Sequence, residues 1–369
     1  STMAIIAEVL GMSLPGTAAI PAVAAERLVA AEETGRAAVR LLSHPMRPSQ
    51  IIPEKSVENA LRVLMAVSGS TNAVIHLAAI AGRRGLRISE ARLNEISDET
   101  PVLVDLKPVG VGYLEDFHAA GGVGALLRAL KPLLHLDTVD VLGQTLEERL
   151  ASPLDWVDED VIRPFDRPVS PQGGLIALTG NLAPKGALFK RAAATPGLFE
   201  SEGRAVVFDS LEDLAARVDD PDLEIAEGDI MVLKNAGPVA AGMPEAGYLP
   251  IPKKLARAGV KDIVRISDAR MSGTAFGTIV LHIAPETARG GPLAAVESGD
   301  RIRLSVREKR IDLLVDADEI ARRLAGHRPP LPPARGYRGL YARSVTQAPE
   351  GCDFAFLHHE STARWEDEQ

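Results

Sequence analysis

Ser272 and Thr274 flank Gly273 inside the stretch Ile266-Ser-Asp-Ala-Arg-Met-Ser-Gly-Thr-Ala-Phe-Gly-Thr-Ile-Val-Leu-His-Ile283, a polar turn between two short apolar runs. A turn gripped by strands is where a scaffold presents a reactive hydroxyl. Gly273 and Gly277 permit a tight bend and close approach of a ligand, and the two hydroxyls can point into one cavity. An ordinary Ser/Gly/Thr turn has the same composition, so both readings stand at this level. A second candidate is Glu245, on the loop Lys234-Asn-Ala-Gly-Pro-Val-Ala-Ala-Gly-Met-Pro-Glu-Ala-Gly247, which crosses three glycines and two prolines. A carboxylate on such a loop suits Mg²⁺, which prefers oxygen donors; exposed loop glutamates are also common.

Other segments carry weaker signals. Gly69-Ser-Thr-Asn72 interrupts a helical pattern with three hydrogen-bonding side chains and reads as a helix cap, with Asn72 capping the helix that follows, or as a ligand loop. His76, one turn on, reads as a satisfied buried histidine. Gly180-Asn-Leu-Ala-Pro-Lys-Gly186 lacks the Lys-Ser or Lys-Thr of a phosphate loop, and Gly121-Gly-Val-Gly124 lacks the third glycine of a dinucleotide fingerprint. His282 and the pair His358-His359 have no partner at metal-binding spacing.

The elements that must position these groups change in texture along the chain. Up to about Asp160 helical patterns dominate: Pro21 to Leu42, Ser56 to Val67, Asn72 to Gly82, Ser89 to Ile96 and a helix starting at Gly121, with Ser56 and Ser89 as N-caps and Gly82-Arg-Arg84 as a stop. Pro101 to Leu106 reads as a short buried strand, so the first part is an α/β layer. Three prolines and two glycines between Ile162 and Gly174 mark a linker. Beyond it come seven short strand-like runs, the last two forming a hairpin about Arg307-Glu-Lys309, and these favour a β-barrel or compact β-rich layer. The expected division is residues 1–161, then 162–335, then a tail 336–369.

Composition bounds the partners. The 369 residues are 46% hydrophobic and 25% charged, ordinary for a globular protein. A net charge of -9 without a basic run excludes nucleic acid as a partner. Met3 to Ala25 carries Glu8, Pro15 and Pro21 and reads neither as a membrane span nor as a signal peptide, which leaves the cytoplasm as the expected compartment. The single cysteine, Cys352, excludes an internal disulfide framework and any cysteine-ligated cluster built from this chain alone. The opening Ser1-Thr-Met3 reads as an internal cut within a helix.

Together, Gly11-Met-Ser-Leu-Pro-Gly16, Ser68-Gly-Ser-Thr-Asn72, Asp105-Leu-Lys-Pro108, Gly173-Gly-Leu175, Gly180-Asn-Leu-Ala-Pro184, Gly242-Met-Pro-Glu245 and Ser267-Asp-Ala-Arg-Met-Ser-Gly-Thr274 resemble the dihydroxyacid dehydratase and phosphogluconate dehydratase family, in order and over almost the whole chain. Ala269-Arg-Met-Ser-Gly-Thr-Ala-Phe276 and Gly351-Cys-Asp-Phe-Ala-Phe356 look like its sugar-acid branch, which dehydrates aldonates such as arabinonate or xylonate. The branch serving branched-chain amino acid synthesis ranks second, and a catalytically dead paralogue acting as a binding module is the third reading.

The resemblance implies an α/β domain, here its C-terminal part, followed by a swivelling β-barrel domain, and a hydro-lyase that uses a 2Fe-2S cluster and Mg²⁺. By motif it implies Ser272 as the base, Thr274 as the residue orienting it, Glu245 as a magnesium ligand, and Ser70, Thr71, Asn72 and Asn181 as substrate-binding residues. It also implies a homo-dimer or homo-tetramer. The family's three cluster cysteines, with further acidic residues and a modified lysine of the magnesium site, fall upstream of Ser1, so this chain alone is expected to bind no cluster and to be inactive. Missing cover is expected to expose apolar surface, including that beside the opening helix Met3 to Leu10, and to cause aggregation or poor solubility.

Overall fold

The computed structural model describes residues 2–107, 109–243, 249–271, 276–329 and 331–358. The chain forms two compact units, Ser1–Ala73 with Leu93–Gly174, and Val74–Arg92 with Leu175–Gln369. No helix among the described residues is long and apolar enough to cross a membrane.

The first unit is built on the helix Glu54–Ala66, whose Val57, Leu61, Val63, Leu64 and Met65 are buried. The opening helix Thr2–Val9 packs against it and buries Ile5, Ile6 and Val9. The opening helix itself therefore keeps these apolar side chains covered within its own unit. Exposed apolar side chains of this unit include Val23, Leu28, Val29, Val39 and Leu42, on and beside the helix Ala25–Arg40. Ser56 is not an N-cap: that helix begins at Glu54 after Pro53, and the Ser56 hydroxyl donates to the Ile51 carbonyl at 2.8 Å. Among the described residues the proposed strand Pro101 to Leu106 makes isolated bridges alone, Val102 with Ser170, Val104 with Ile162 and Leu106 with Gly112; the first two run to one partner segment. Its partner holds Pro164 and Pro168, which lack the N–H groups that a continuous ladder needs. The linker glycines seat this partner: a Cβ on Gly173 would stand 2.8 Å from Met65 Cβ and 2.9 Å from Ser97 Oγ.

The second unit holds an eight-stranded sheet among its described residues. The strands are β1 (Ile176–Leu178), β2 (Ala187–Phe189), β3 (Glu200–Phe208), β4 (Ile230–Leu233), β5 (Arg265–Ser267), β6 (Ile279–Leu281), β7 (Arg301–Ser305) and β8 (Arg310–Leu313). Their order is β1-β2-β6-β5-β4-β3-β7-β8. The central pairs β3/β4, β4/β5 and β5/β6 are parallel, and the flanking pairs are antiparallel. Thr179, just past β1, bridges Arg310 at the start of β8, which brings the two edges together into a nearly closed barrel. Closure removes the open sheet edges that invite unwanted pairing.

The run Ile230-Met-Val-Leu233 is apolar throughout because both of its faces are covered. Ile230 and Val232 face the barrel core with Phe189, Ile266, Val280 and Ile302, while Met231 and Leu233 join an outer layer with Phe208, Leu214 and Leu255. Leu214 and Leu255 come from the helices Leu211–Arg217 and Lys253–Arg257. Ser210 accepts from the Asp213 N–H and caps the first of these, as its sequence signals. The hairpin β7–β8 also forms as expected, with Lys309 at φ +55° in its turn.

Candidate functional site

Parallel strands β4, β5 and β6 end side by side, with Leu233 opposite Ser267 and Ile266 opposite Val280. The segments leaving their carboxyl ends carry Glu245, Ser272 with Thr274, and His282, in that order. In sheets of parallel strands this edge is where ligands bind. Glu245, Ser272 and Thr274 themselves lie outside the described residues, so the site is built from what leads into them.

The segment after β4 runs through Asn235 at φ +56° into the short helix Pro238–Ala241, then Gly242 at φ +73° and Met243 at φ +47°. Two buried carboxylates hold it. Asp268, fully buried just after β5, accepts the Ala236 N–H on Oδ1 and the Thr287 N–H on Oδ2, both at 2.9 Å. Glu286 accepts the N–H groups of Val239 and Ala240 at 2.9 and 3.1 Å. Burial pushes both carboxyls above their ordinary range, and the backbone donors pull the other way without cancelling it.

Arg270 links two of the segments. Its Nε–H donates to the Met243 carbonyl at 2.7 Å, joining the segment after β5 to the one after β4 where Met243 is the last described residue and Arg270 the last but one. His282 donates its N–H to the Ala269 carbonyl at 3.0 Å and sits at φ +58°, a conformation that costs a residue with a Cβ. Its ring is buried, and neither ring nitrogen has a hydrogen-bond partner among the described residues. Burial above all, with Arg270 and His76 adding positive charge, depresses its pKa to about 3, so the imidazole is neutral. The sequence marks His282 only as a histidine without a partner at metal-binding spacing and does not single out Asp268 and Glu286; the signal available was that each follows a short apolar strand run at the same sheet edge.

The weaker candidates divide between the units. In the first, Ser70 accepts the Asn72 N–H on its hydroxyl at 3.2 Å and donates its own N–H to Thr2 Oγ1 at 3.2 Å. Ser70 thus supplies the turn at the start of the helix Asn72–Gly82, and Asn72, expected as that cap, is instead its first residue, with Thr71 and Asn72 buried. In the second, Asn181 donates to the Leu313 carbonyl at 2.8 Å and accepts the Leu313 N–H at 2.6 Å, which commits its carboxamide to the barrel seam. A cleft of about 860 Å³ opens at the carboxyl ends of β3 and β4, lined by Asp209, Asn235, Val239, Gly242, Arg338 and Tyr341 among others.

The described residues do not fit an iron–sulfur cluster. Cys352 is the only cysteine, its thiol lies 3.2 Å from the Met243 sulfur, and burial pushes its pKa up to about 12, whereas cluster ligands are thiolates. Nor does any group of three His, Cys, Asp or Glu side chains among the described residues have the arrangement to hold a metal ion.

Comparison with known proteins supplies the wider context. Residues 1–149 match the dihydroxy-acid/6-phosphogluconate dehydratase N-terminal family, and residues 160–352 match the corresponding C-terminal family. The chain is 47% identical over 97% of its length to a 6-deoxy-6-sulfo-D-gluconate dehydratase of Pseudomonas putida, of which it covers 62%. It is 46% identical over 95% of its length to an L-arabinonate dehydratase of Rhizobium leguminosarum bv. trifolii, of which it covers 61%. A dihydroxy-acid dehydratase of Pyrococcus abyssi is 40% identical over 96% of the chain, and 64% of that protein is covered. The chain therefore spans a little over three fifths of the length of these relatives.

Proposed function

We propose that this chain, which belongs to the dihydroxy-acid/6-phosphogluconate dehydratase family, is the larger part of a hydro-lyase acting on a sugar acid. The reaction removes the C2 proton and the C3 hydroxyl of a 2,3-dihydroxy acid as water, and the resulting enol tautomerises to the 2-keto-3-deoxy acid. Ser272 takes the C2 proton and Thr274 orients it. A serine hydroxyl is far too weakly acidic to ionise unaided near neutrality, so it needs positive charge close by; Arg270, two residues ahead, is one such charge. Glu245 serves as a magnesium ligand, Ser70, Thr71 and Asn72 contribute to substrate binding, and Asn181 closes the barrel instead. A 2Fe-2S cluster needs several thiolates and this chain holds one cysteine, so on this reading the 369 residues alone bind no cluster and are inactive. A cytoplasmic homo-dimer or homo-tetramer is the expected form.

The observation that carries this reading is the hydrogen bond from Arg270 to Met243, which joins the segments leading to Ser272 and to Glu245 at the carboxyl edge of β4 and β5. The preference for sugar acids is supported by the higher identity to the arabinonate and sulfogluconate dehydratases than to the dihydroxy-acid dehydratase. The test is to assay the protein from its native source for keto-acid formation from a panel of aldonates and from a branched 2,3-dihydroxy acid. Turnover of an aldonate that is lost in Ser272→Ala supports the proposal. Turnover of the branched acid alone transfers it to the other branch, and no turnover by an iron-loaded protein leaves a binding module.

A further inference from the structure

Glu286 makes more contacts than a buried carboxylate needs for its own satisfaction. Besides the two N–H groups of the helix Pro238–Ala241, its Oε1 accepts from Gln347 Nε2 at 2.7 Å, and the Glu286 N–H donates back to Gln347 Oε1 at 2.8 Å. The carboxamide of Gln347 thus grips Glu286 from both sides and fixes the direction of its carboxylate. Gly237 packs against the same group: a Cβ there would stand 2.6 Å from Glu286 Oε2. On the far side of the helix, Cys352 meets Met243 sulfur to sulfur.

Gln347 and Cys352 belong to one small folded segment. Val345 bridges Phe354, the Cys352 N–H donates to the Gln347 carbonyl, and Asp353 pairs with Arg83 through two hydrogen bonds of 2.7 and 2.8 Å. Gly351, at φ +92°, presses on the backbone of Ala79, where any Cβ would clash. This segment therefore has its own anchorage on the helix Asn72–Gly82 and touches the β4 exit at both ends of the helix Pro238–Ala241.

We propose that Gln347 and Glu286 form a positioning pair through which the C-terminal segment sets the β4-exit loop in register. Gln347 orients the carboxylate, the carboxylate holds the first turn of the helix Pro238–Ala241, and that helix delivers Met243 and the residues after it to the site. The consequence for catalysis rests on the dehydratase reading; the coupling itself does not.

The test is amide hydrogen exchange over residues 236–243, with steady-state kinetics, on the full-length protein carrying Gln347→Ala, Glu286→Gln, Gln347→Glu or the exchanged pair Glu286→Gln/Gln347→Glu. Loss of a hydrogen bond to a charged acceptor predicts exchange roughly tenfold or more faster at Val239 and Ala240 in each single variant, with β4 and β5 unchanged. Gln347→Glu sets two carboxylates face to face, and the exchanged pair restores one amide facing one carboxylate but leaves Val239 and Ala240 a neutral acceptor, so their exchange slows relative to Gln347→Glu without reaching the wild-type rate. In the active enzyme kcat falls in the single variants with KM little changed, and recovers in part in the exchanged pair relative to Gln347→Glu. Unchanged exchange in the single variants, or an exchanged pair no better protected than Gln347→Glu, overturns the coupling. Should Glu286→Gln fail to fold, Gln347→Ala retains the carboxylate and carries the test. A wild-type protein that shows the expected exchange pattern but dehydrates no sugar acid refutes the proposed function and leaves the coupling standing.

Discussion

His282 concentrates three unfavourable features in one residue: a buried imidazole, ring nitrogens without a hydrogen-bond partner among the described residues, and a φ of +58°. Such strain persists where the surroundings over-determine it. Its pKa of about 3 lies below the ordinary 6.5, so the unfolded chain takes up a proton that the folded chain refuses. Its contribution to stability is fully present above pH 6.5 and is lost as the pH falls toward about 3, by up to about 1.4 kcal/mol per pH unit. Burial raises Asp268 and Glu286 and acts in the opposite sense on acidification, so the comparison must be with a variant. Melting curves of wild type and His282→Asn, whose side chain tolerates positive φ, should diverge below pH 6.5, the wild type losing more; parallel curves would show that the ring is charged or solvated. Asp262 supports a second prediction. It accepts from Arg265 at 2.8 Å and from the Thr278 N–H and hydroxyl and the Thr195 hydroxyl, with its own side chain and that of Arg265 only 4% exposed. Asp262→Ala leaves a buried guanidinium uncompensated and should cost about 3–5 kcal/mol in chemical denaturation. A loss below 1 kcal/mol would mean that water reaches Arg265.

The barrel seam shows what can be read at the scale of elements. Asn181 holds Leu313 through two hydrogen bonds, and Gly180 at φ +146° brings the backbone against Ile311 and Asp312. Asn181→Ala should lower stability by about 2 kcal/mol and speed exchange at Leu313, with KM unaltered. A raised KM at unchanged melting temperature would return Asn181 to the substrate. The seam was hidden in the sequence because Gly180-Asn-Leu-Ala-Pro184 reads as a loop whatever it binds, and closure depends on a partner some 130 residues away. β2 was missed for a related reason: three residues, Ala187–Phe189, carry no period, and only pairing with β1 and β6 makes them a strand. The other strands were legible because their runs are apolar on both faces or alternate cleanly. Of β3 only the run from Arg204 onward is legible, because Glu200 and Glu202 face outward along its pairing with β7. Within the site, the turn chemistry around Ser272 and Glu245 was visible as glycines and polar residues. The carboxylates that hold the β4 exit were not, since Asp268 and Glu286 lie 32 or more positions from the β4-exit amides that they accept.

At the scale of the whole molecule, the relatives' extra length frames two expectations. The opening helix is buried against its own unit, so self-association of the isolated chain should arise around Val23, Leu28, Val29 and Leu42. Val29→Lys with Leu42→Glu should then reduce light scattering without lowering the melting temperature, whereas scattering unmoved by these changes would place the sticky surface elsewhere. The second expectation concerns iron. A cluster needs several thiolates, and the only thiol here is half-buried against Met243 with its pKa pushed up to about 12. Reconstitution of the 369-residue chain with iron and sulfide should therefore give iron well below one atom per chain, and Cys352→Ser should not change that value. The protein from its native source should run above 39.2 kDa and carry iron, because covering about 62% of each relative leaves room for the remaining ligands. A native mass equal to this chain, without iron, would instead move the assignment from hydro-lyase to a binding module that keeps the same sheet edge.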